Sequence, residues 1–370
     1  MVSGDEAMLI LNNDEIQRVL MMKDCVEAME AAFYDLSVGQ GINRPRSHTY
    51  VPMPGKPDED RFYMFKSMDG ALPRFGMHAL RISSDMLGEH YIEGKRRREK
   101  LPVAPGNKYV GLLILFSLES LEPLAIMPEG YLQRMRVGAT SAVAAKHLAK
   151  KHIHHVGLIG TGWQAGAQAM GVHEVFPGVE EIRVYSVQKH HREFFAEEWS
   201  GKLGLKLRAV NSAREAVQDA DLLALATNSQ TPVLDGDWVR EGCHINSVQG
   251  AELDDRIVKR ADVIAVREFS EPTFWVMGDK LPYEVTSQKS IKKGELDSRK
   301  VKPLGDILSG KTKGRVDERQ ITLFTGSGTG GSAGLGTQFV AVGAMIYKRA
   351  REAGMGREIP TEWFLQEFRP

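Results

Sequence analysis

Apolar and polar positions near the start of the chain follow a helical period and then change to alternation. Asn12, Asn13 and Asp14 offer N-cap side chains for a short helix. Val26, Met29, Phe33 and Leu36 then fall on one face of a helix that begins at Asp24 and stops at Gly39. The segment GINRPRSHTYVPMPG holds prolines that forbid helix, so it reads as extended, and it carries Arg44 and Arg46. Arg61–Met68 and Met77–Ile82 read as strands in which Lys66 and Arg81 alternate with apolar neighbours. The basic run EGKRRREK, residues 93–100, reads as a solvated loop. Tyr109–Ser117 and Pro123–Met127 read as a strand pair turning at LESLE, which closes an antiparallel first domain, residues 1–130.

Tyr131–Lys151 is rich in alanine and other good helix formers and predicts a long bridging helix. After it, strands and helices alternate. Strands are expected at Val156–Ile159, Ile182–Val187, Lys206–Val210, Asp221–Thr227, Cys243–Val248 and Asp262–Val266. That order implies a doubly wound parallel sheet over residues 131–320. Phe269–Val301 is polar and gives no clear element. A glycine cluster, FTGSGTGGSAGLG, precedes a helix over Thr337–Glu352 that ends at Gly354, and residues 321–370 are expected to return to the first domain. The expected fold class is therefore α/β: a Rossmann doubly wound parallel sheet plus an α+β domain.

The most informative stretch is VGLIGTGWQA, Val156 to Ala165. Gly160, Gly162 and Ala165 have the spacing of a dinucleotide-binding turn. Gly160 permits the sharp turn, Gly162 leaves room for a pyrophosphate, and Ala165 lets the helix approach the strand. Thr161, Trp163 and Gln164 fill the turn, and free N–H groups of the next helix face the phosphates. Thr227 and Asn228 after the fourth strand, and Val248 after the fifth, complete the expected cofactor-binding set. The end of the second strand, VYSVQKHHR, lacks the acid that would take the ribose hydroxyls of NAD. It offers Ser186, Lys189, His190, His191 and Arg192, which suit a 2′-phosphate, so NADP is expected, with NAD possible.

Composition narrows the partners. The chain has 370 residues, with 48 Lys and Arg against 48 Asp and Glu. Zero net charge gives no reason to expect nucleic acid as a partner. Cys25 and Cys243 match no metal spacing and read as buried thiols in a reducing compartment. No signal pattern opens the chain, and Leu112–Phe116 is too short to span a bilayer. No metal and no membrane contact are expected, and the protein is expected in the cytoplasm.

Several stretches resemble the ornithine cyclodeaminase/mu-crystallin family. They are RMRVGATSAVAAKHLA followed directly by VGLIGTGWQA, then HINSVQGAELDDRIVKRADVIAV, LGDILSGK and GLGTQFVAVGAMIY. The resemblance covers nearly the whole chain. It implies a substrate and dimerisation domain, a Rossmann domain and a homodimer acting on small imino or amino acids with NAD(P). It implies a substrate carboxylate held by Arg136 and Arg46. The family's strand lysine, which shares in holding that carboxylate, falls nearest Arg81, with Lys66 the other candidate, and these two are expected to be both substrate-binding and catalytic. This chain departs from the family in two places. The loop after the fifth Rossmann strand, Ser247 to Leu253, is short and lacks the acid that assists amine chemistry in cyclodeaminases. The usual Gln-Asp pair stands as Gln338 and Phe339. The leading expectation is thus hydride transfer to or from a C=N bond beside a carboxylate. The alternatives are ammonia-releasing cyclisation of ornithine with recycled NAD, and a non-catalytic NADP- and ligand-binding crystallin-like protein.

Overall fold

The structure, a computed structural model, describes residues 7–55, 59–92, 95–229, 231–270, 272–282, 298–326 and 334–367, with side chains for all of these except 90–92, 95–98 and 298. The first half runs β1 (Met8–Ile10), α1 (Asn13–Val19), α2 (Met22–Ser37), β2 (Ile42–Asn43), β3 (Ser47–Met53), β4 (Asp60–Leu72), β5 (Met77–Ile92), β6 (Lys95–Leu101), β7 (Val110–Ser117), β8 (Pro123–Pro128) and α3 (Gly130–Leu148). The second runs β9 (His155–Ile159), α4 (Trp163–Val175), β10 (Glu181–Tyr185), α5 (Lys189–Leu203), β11 (Lys206–Ala209), α6 (Ala213–Val217), β12 (Leu222–Leu225), β13 (His244–Ser247), α7 (Asp255–Arg260), β14 (Val263–Val266), β15 (Thr273–Val276), β16 (Val301–Pro303), α8 (Leu304–Leu308), β17 (Thr322–Thr325), α9 (Gly336–Glu352) and β18 (Arg357–Ile359).

Among the described residues the strands form two sheets. The first has the order β15-β3-β4-β5-β7-β8-β1-β18, with β2 on β4 and β6 on β5. The second has the order β11-β10-β9-β12-β13-β17-β14-β16, and all its pairs are parallel. Its strand order reverses between β9 and β12, where an open α/β sheet leaves a crevice for a ligand. The fold class is α/β with a Rossmann-like parallel sheet. The late strand β17 inserts between β13 and β14.

Several local expectations need correction. The basic run expected as a solvated loop is strand β6 over Lys95–Leu101, because β5 continues to Ile92 and its backbone pairs with it from Met86↔Leu101 to Ile92↔Lys95. Residues 93 and 94 of that run lie outside the described residues. The first sheet is not wholly antiparallel, since β1 runs parallel to β8 and β15 parallel to β3. Strand β4 passes through Asp69 and Gly70 to Leu72. The glycine is accommodated there because a Cβ would crowd the Thr337 backbone at the start of α9, 2.7 Å away. Within Phe269–Val301, β15 joins the first sheet; residues 271 and 283–297 lie outside the described residues, as do 327–333 of the glycine cluster.

Helix α3 is buried nearly all round, from Tyr131 to Leu148. A helix with that pattern lies inside a protein rather than on its surface. Helix α1 holds its start: Asn12 caps α1 by accepting from the N–H groups of Asp14 (2.9 Å) and Glu15 (3.0 Å), and Asn13 Oδ1 in the first turn of α1 accepts from Tyr131 N–H (2.9 Å) at the start of α3. Helices α2, α3 and α9 share one core with the first sheet, through Met29, Phe33, Leu72, Leu113, Leu115, Phe339 and Val340.

Candidate active site

One half of the site is the turn after β9. Gly160 has φ +116°, and a Cβ there would strike the Ala226 carbonyl, so the fold itself demands glycine. Gly162 differs. Its φ is −85°, open to any residue, and a Cβ would meet nothing within 4 Å. Its missing side chain leaves clear surface in front of α4, whose first turn has no side-chain cap. Ala165 is fully buried, and α4 lies close on α3 because Gly138 faces the Ala167 backbone, where a Cβ would not fit. Thr161 is half-buried in the turn. Gln164 Nε2 donates to Gln133 Oε1 (3.0 Å), and the Arg134 guanidinium stacks 4.1 Å from the Trp163 ring. These contacts tie the turn to the bridging helix. An uncapped helix N-terminus beside an open glycine fits a dinucleotide pyrophosphate.

At the far end of the crevice, Ser186 is half-buried and Lys189 exposed, with Glu193 3.7 Å from the Lys189 ammonium. Arg192 is placed otherwise than its neighbours suggest. It is buried, and its guanidinium donates to the carbonyls of Ser186 (3.0 Å) and Val187 (3.4 Å) and to Asn211 Oδ1 (3.3 Å). It shapes the turn rather than facing out of it.

Thr227, Asn228 and Val248 lie at the ends of β12 and β13, with Asn228 exposed and the other two half-buried. Glu252 fastens these loops together. Its carboxylate accepts from the N–H groups of Thr227 and Gln249 (3.2 Å to the latter) and from the Ser247 hydroxyl (3.4 Å). Burial raises its pKa, against those hydrogen bonds. Asp254 caps α7 and pairs with Arg256 at 2.7 Å. Glu252 in the short loop and Asp254 directly after it are thus engaged in holding the fold.

The other half of the site comes from register in the first sheet. Lys66 is opposite His48 on one side and Ser83 on the other, and Arg81 is opposite Met68 and Leu113. All of these share one face. That face is apolar at one end, with Leu72, Ala79, Leu113 and Leu115, and at the other carries Tyr50, Phe62, Met64 and Leu87 together with the buried acids Asp85 and Glu89. Between them runs a buried polar band of His48, Lys66, Arg81 and Ser83, with Arg46 just ahead of β3. The Arg46 carbonyl accepts from Thr273 N–H (2.8 Å), so β15 holds that segment.

Arg81 is already occupied. Its guanidinium grips both oxygens of Glu129, with Nη2 2.6 Å from Oε1. Arg136 is different. It is 5 % exposed, Nη1 donates to Gln338 Oε1 (3.2 Å), and its guanidinium lies 4.9 Å from the Phe339 ring. Among the described residues no carboxylate forms an ion pair with it. Burial and the positive charges of Arg267, Arg81 and Arg46 hold it well below the usual arginine range, with Glu129 opposing. Phe339, at a position where the resemblance implies an acid, has its ring against both Arg136 and Arg81, 5.7 Å from the latter.

Arg267, directly after β14, belongs to the same group and was not singled out in the sequence. A signal was there: a charge immediately following the all-apolar strand VIAV, at the carboxyl end where such sheets bind ligands. Chemically, the arrangement offers a crevice for a dinucleotide beside buried guanidinium groups able to take a carboxylate by paired hydrogen bonds.

The model of the ornithine cyclodeaminase/mu-crystallin family matches residues 6–354. A Δ1-pyrroline-2-carboxylate reductase of Bacillus cereus is 30 % identical over 269 residues, which is 70 % of this chain and 78 % of the relative. The solved Δ1-pyrroline-2-carboxylate reductase of Thermococcus litoralis, in complex with NADH and L-proline, superposes with a TM-score of 0.75 at 28 % identity, covering 95 % of this chain and 100 % of that one. An archaeal alanine dehydrogenase dimer with bound NAD gives a TM-score of 0.71 at 27 % identity, covering 95 % and 98 %.

Proposed function

Because the chain belongs to the ornithine cyclodeaminase/mu-crystallin family, we propose that it is an NAD(P)-dependent oxidoreductase acting on a C=N bond, or its CH–NH product, beside a carboxylate. The observation that carries this reading is Arg136: a buried guanidinium without an acidic partner among the described residues, in the helix that joins both halves of the site. When bound, the nicotinamide supplies or accepts the hydride. Arg136 takes the substrate carboxylate through two parallel hydrogen bonds and so fixes its orientation. Arg46 adds a second cation. The chain's own proton donor is Lys66, since an arginine does not release its proton and Arg81 is held by Glu129. Arg81 then serves to hold Glu129 in place.

Cyclisation of ornithine is disfavoured because Glu252 and Asp254 are bound to the fold. Incubation with reduced dinucleotide and either cyclic ketimines or keto acid and amine pairs is expected to consume dinucleotide and amino acid precursor one for one. Formation of proline and ammonia from ornithine, with no net change in dinucleotide, would show the cyclodeaminase instead.

NADP is proposed as the preferred cofactor. Support comes from the acid-free end of β10 and from Ser186 and the exposed Lys189 beside it. The Lys189–Glu193 pair is a weak surface contact that a phosphate can displace. The expected result is tighter binding of NADPH than NADH, with Lys189→Ala lowering that ratio about tenfold. Arg192→Ala should weaken both dinucleotides alike, because it loosens the turn. Equal affinity of the unaltered protein for both would refute the assignment.

A homodimer through the first sheet is also proposed. The face opposite the polar band carries Tyr63, Phe65, Ile82, Leu112 and Ile114, all only half-buried. An apolar sheet face left part-exposed is a surface for a second copy. Light scattering should give twice 41.1 kDa; a monomer mass at micromolar concentration would contradict it.

A further inference from the structure

Two guanidinium groups of the cleft are buried without an acidic ion-pair partner among the described residues, one more than a single carboxylate can pair with. Arg81 is neutralised by Glu129. Of the buried guanidinium groups in the cleft that leaves Arg136, in the field of Arg267, Arg81 and Arg46, and Arg267, in the field of Arg46. Arg267 is 3 % exposed. It donates through Nη1 to the Gly326 carbonyl and lies 5.5 Å from the Phe324 ring. Its Nε has no hydrogen-bond partner. Its sequence neighbour Glu268 accepts from Asn43 Nδ2 (2.8 Å), and among the described residues no carboxylate pairs with Arg267. Burial and the charge of Arg46 bring its pKa down to about 10, so the group remains charged at neutral pH. Its place is also telling. Gly326 sits between it and Val248, and a Cβ there would lie 2.6 Å from Arg267 Nη1. Arg267 therefore stands at the carboxyl ends of β13, β17 and β14, on the second sheet, whereas Arg136 comes from the bridging helix.

Burying a guanidinium without a counter-charge is costly. Two such groups beside each other cost more, and one carboxylate relieves only one of them. We propose that Arg267 binds a second acidic group on the substrate, so that the site takes an imino or amino dicarboxylate in preference to a monocarboxylate. The proposal rests on the imino-acid reading of the cleft given above. It assigns the α-carboxylate to Arg136 and the distal acid to Arg267, which sets the side chain that the enzyme selects.

The test is calorimetric titration of alanine, aspartate and glutamate, each as both enantiomers, into the protein saturated with whichever oxidised dinucleotide it binds more tightly. Aspartate or glutamate is expected to bind at least about tenfold more tightly than alanine. Arg267→Met should abolish that advantage while alanine and dinucleotide affinities stay within about twofold, and Arg267→Lys should retain part of it. The unliganded Arg267→Met protein should melt no lower than the unaltered one, since an uncompensated charge has gone. Equal binding of alanine and both dicarboxylates by the unaltered protein overturns the proposal. So does an Arg267→Met variant that melts lower and weakens every amino acid equally, which makes Arg267 structural, or one that weakens the dinucleotide, which makes it a phosphate ligand. Failure of every amino acid to bind, with dinucleotide bound normally, overturns the imino-acid reading itself and this proposal with it.

Discussion

Arg136→Ala is expected to lower kcat/KM for imine reduction by roughly a hundredfold or more and to leave folding and dinucleotide affinity nearly unchanged. The size follows from geometry. Removing one partner of a desolvated charge pair costs about 2–5 kcal/mol, and about 1.4 kcal/mol is tenfold in rate. The loss should fall on kcat as well as KM, because the planar guanidinium fixes the substrate's orientation and not only its residence. Folding is spared for a specific reason. Gln338, the side chain that Arg136 touches, keeps its bonds to Thr140 Oγ1 (2.6 Å) and Leu335 N–H (3.0 Å) without it. The variant also removes a buried charge with no acidic partner among the described residues, which should not destabilise the unliganded protein. Arg136→Lys should recover only part of the rate, since an ammonium cannot make the fork. Near-normal kcat/KM in both variants would place the carboxylate clamp elsewhere.

The sequence carried the centre of the parallel sheet well because β9, β12 and β14 are short, mainly apolar runs between turn residues, and this is a local signal. β9, β10, β12, β13 and β14 all fall within the expected runs or overlap them. The insertion of β17 between β13 and β14 is a tertiary choice with no local mark. In the first sheet the alternation of Arg61–Met68 gave the strand, but its continuation through Asp69 and Gly70 depended on the packing of α9 above. The strand character of Lys95–Leu101 was hidden for a similar reason. A run of like charges makes no apolar face, and only the pairing with β5 holds it extended.

The cations of the site were visible one at a time. Lys66 and Arg81 stood out as charges on half-apolar strands, but only register shows that His48, Lys66 and Ser83 form one row with Arg81 beside it. The pairing of Arg81 with Glu129 joins residues 48 positions apart and has no trace in spacing. In the same way, Ser186, Lys189 and Arg192 look equivalent as donors in the sequence, yet one helical turn carries Arg192 back onto the carbonyls of Ser186 and Val187. What a polar side chain faces is decided by packing, not by its type.

Gly162→Leu is expected to fold normally and to lose roughly 5- to 150-fold in dinucleotide affinity, the effect of about 1–3 kcal/mol of steric conflict with the ligand. The contrast with Gly160 gives this prediction its force. At Gly160 the backbone is left-handed and the Ala226 carbonyl blocks a Cβ, so Gly160→Ala should lower Tm whether or not a ligand is present. At Gly162 neither constraint operates: φ is −85° and the Cβ position is open. A leucine there has space in the unliganded protein, and its side chain would stand in front of the uncapped first turn of α4. That is where the helix N-terminus presents its N–H groups to an anion. A fold requirement and a ligand requirement are thus separated within one turn. Melting curves with and without NADPH distinguish them. The Gly162→Leu protein should match the unaltered one without ligand and fail to gain its ligand-induced rise in Tm. A Gly162→Leu protein that still gains the full rise would mean that the dinucleotide does not pass over this glycine, and the crevice at the β9–β12 switch point would no longer be its site.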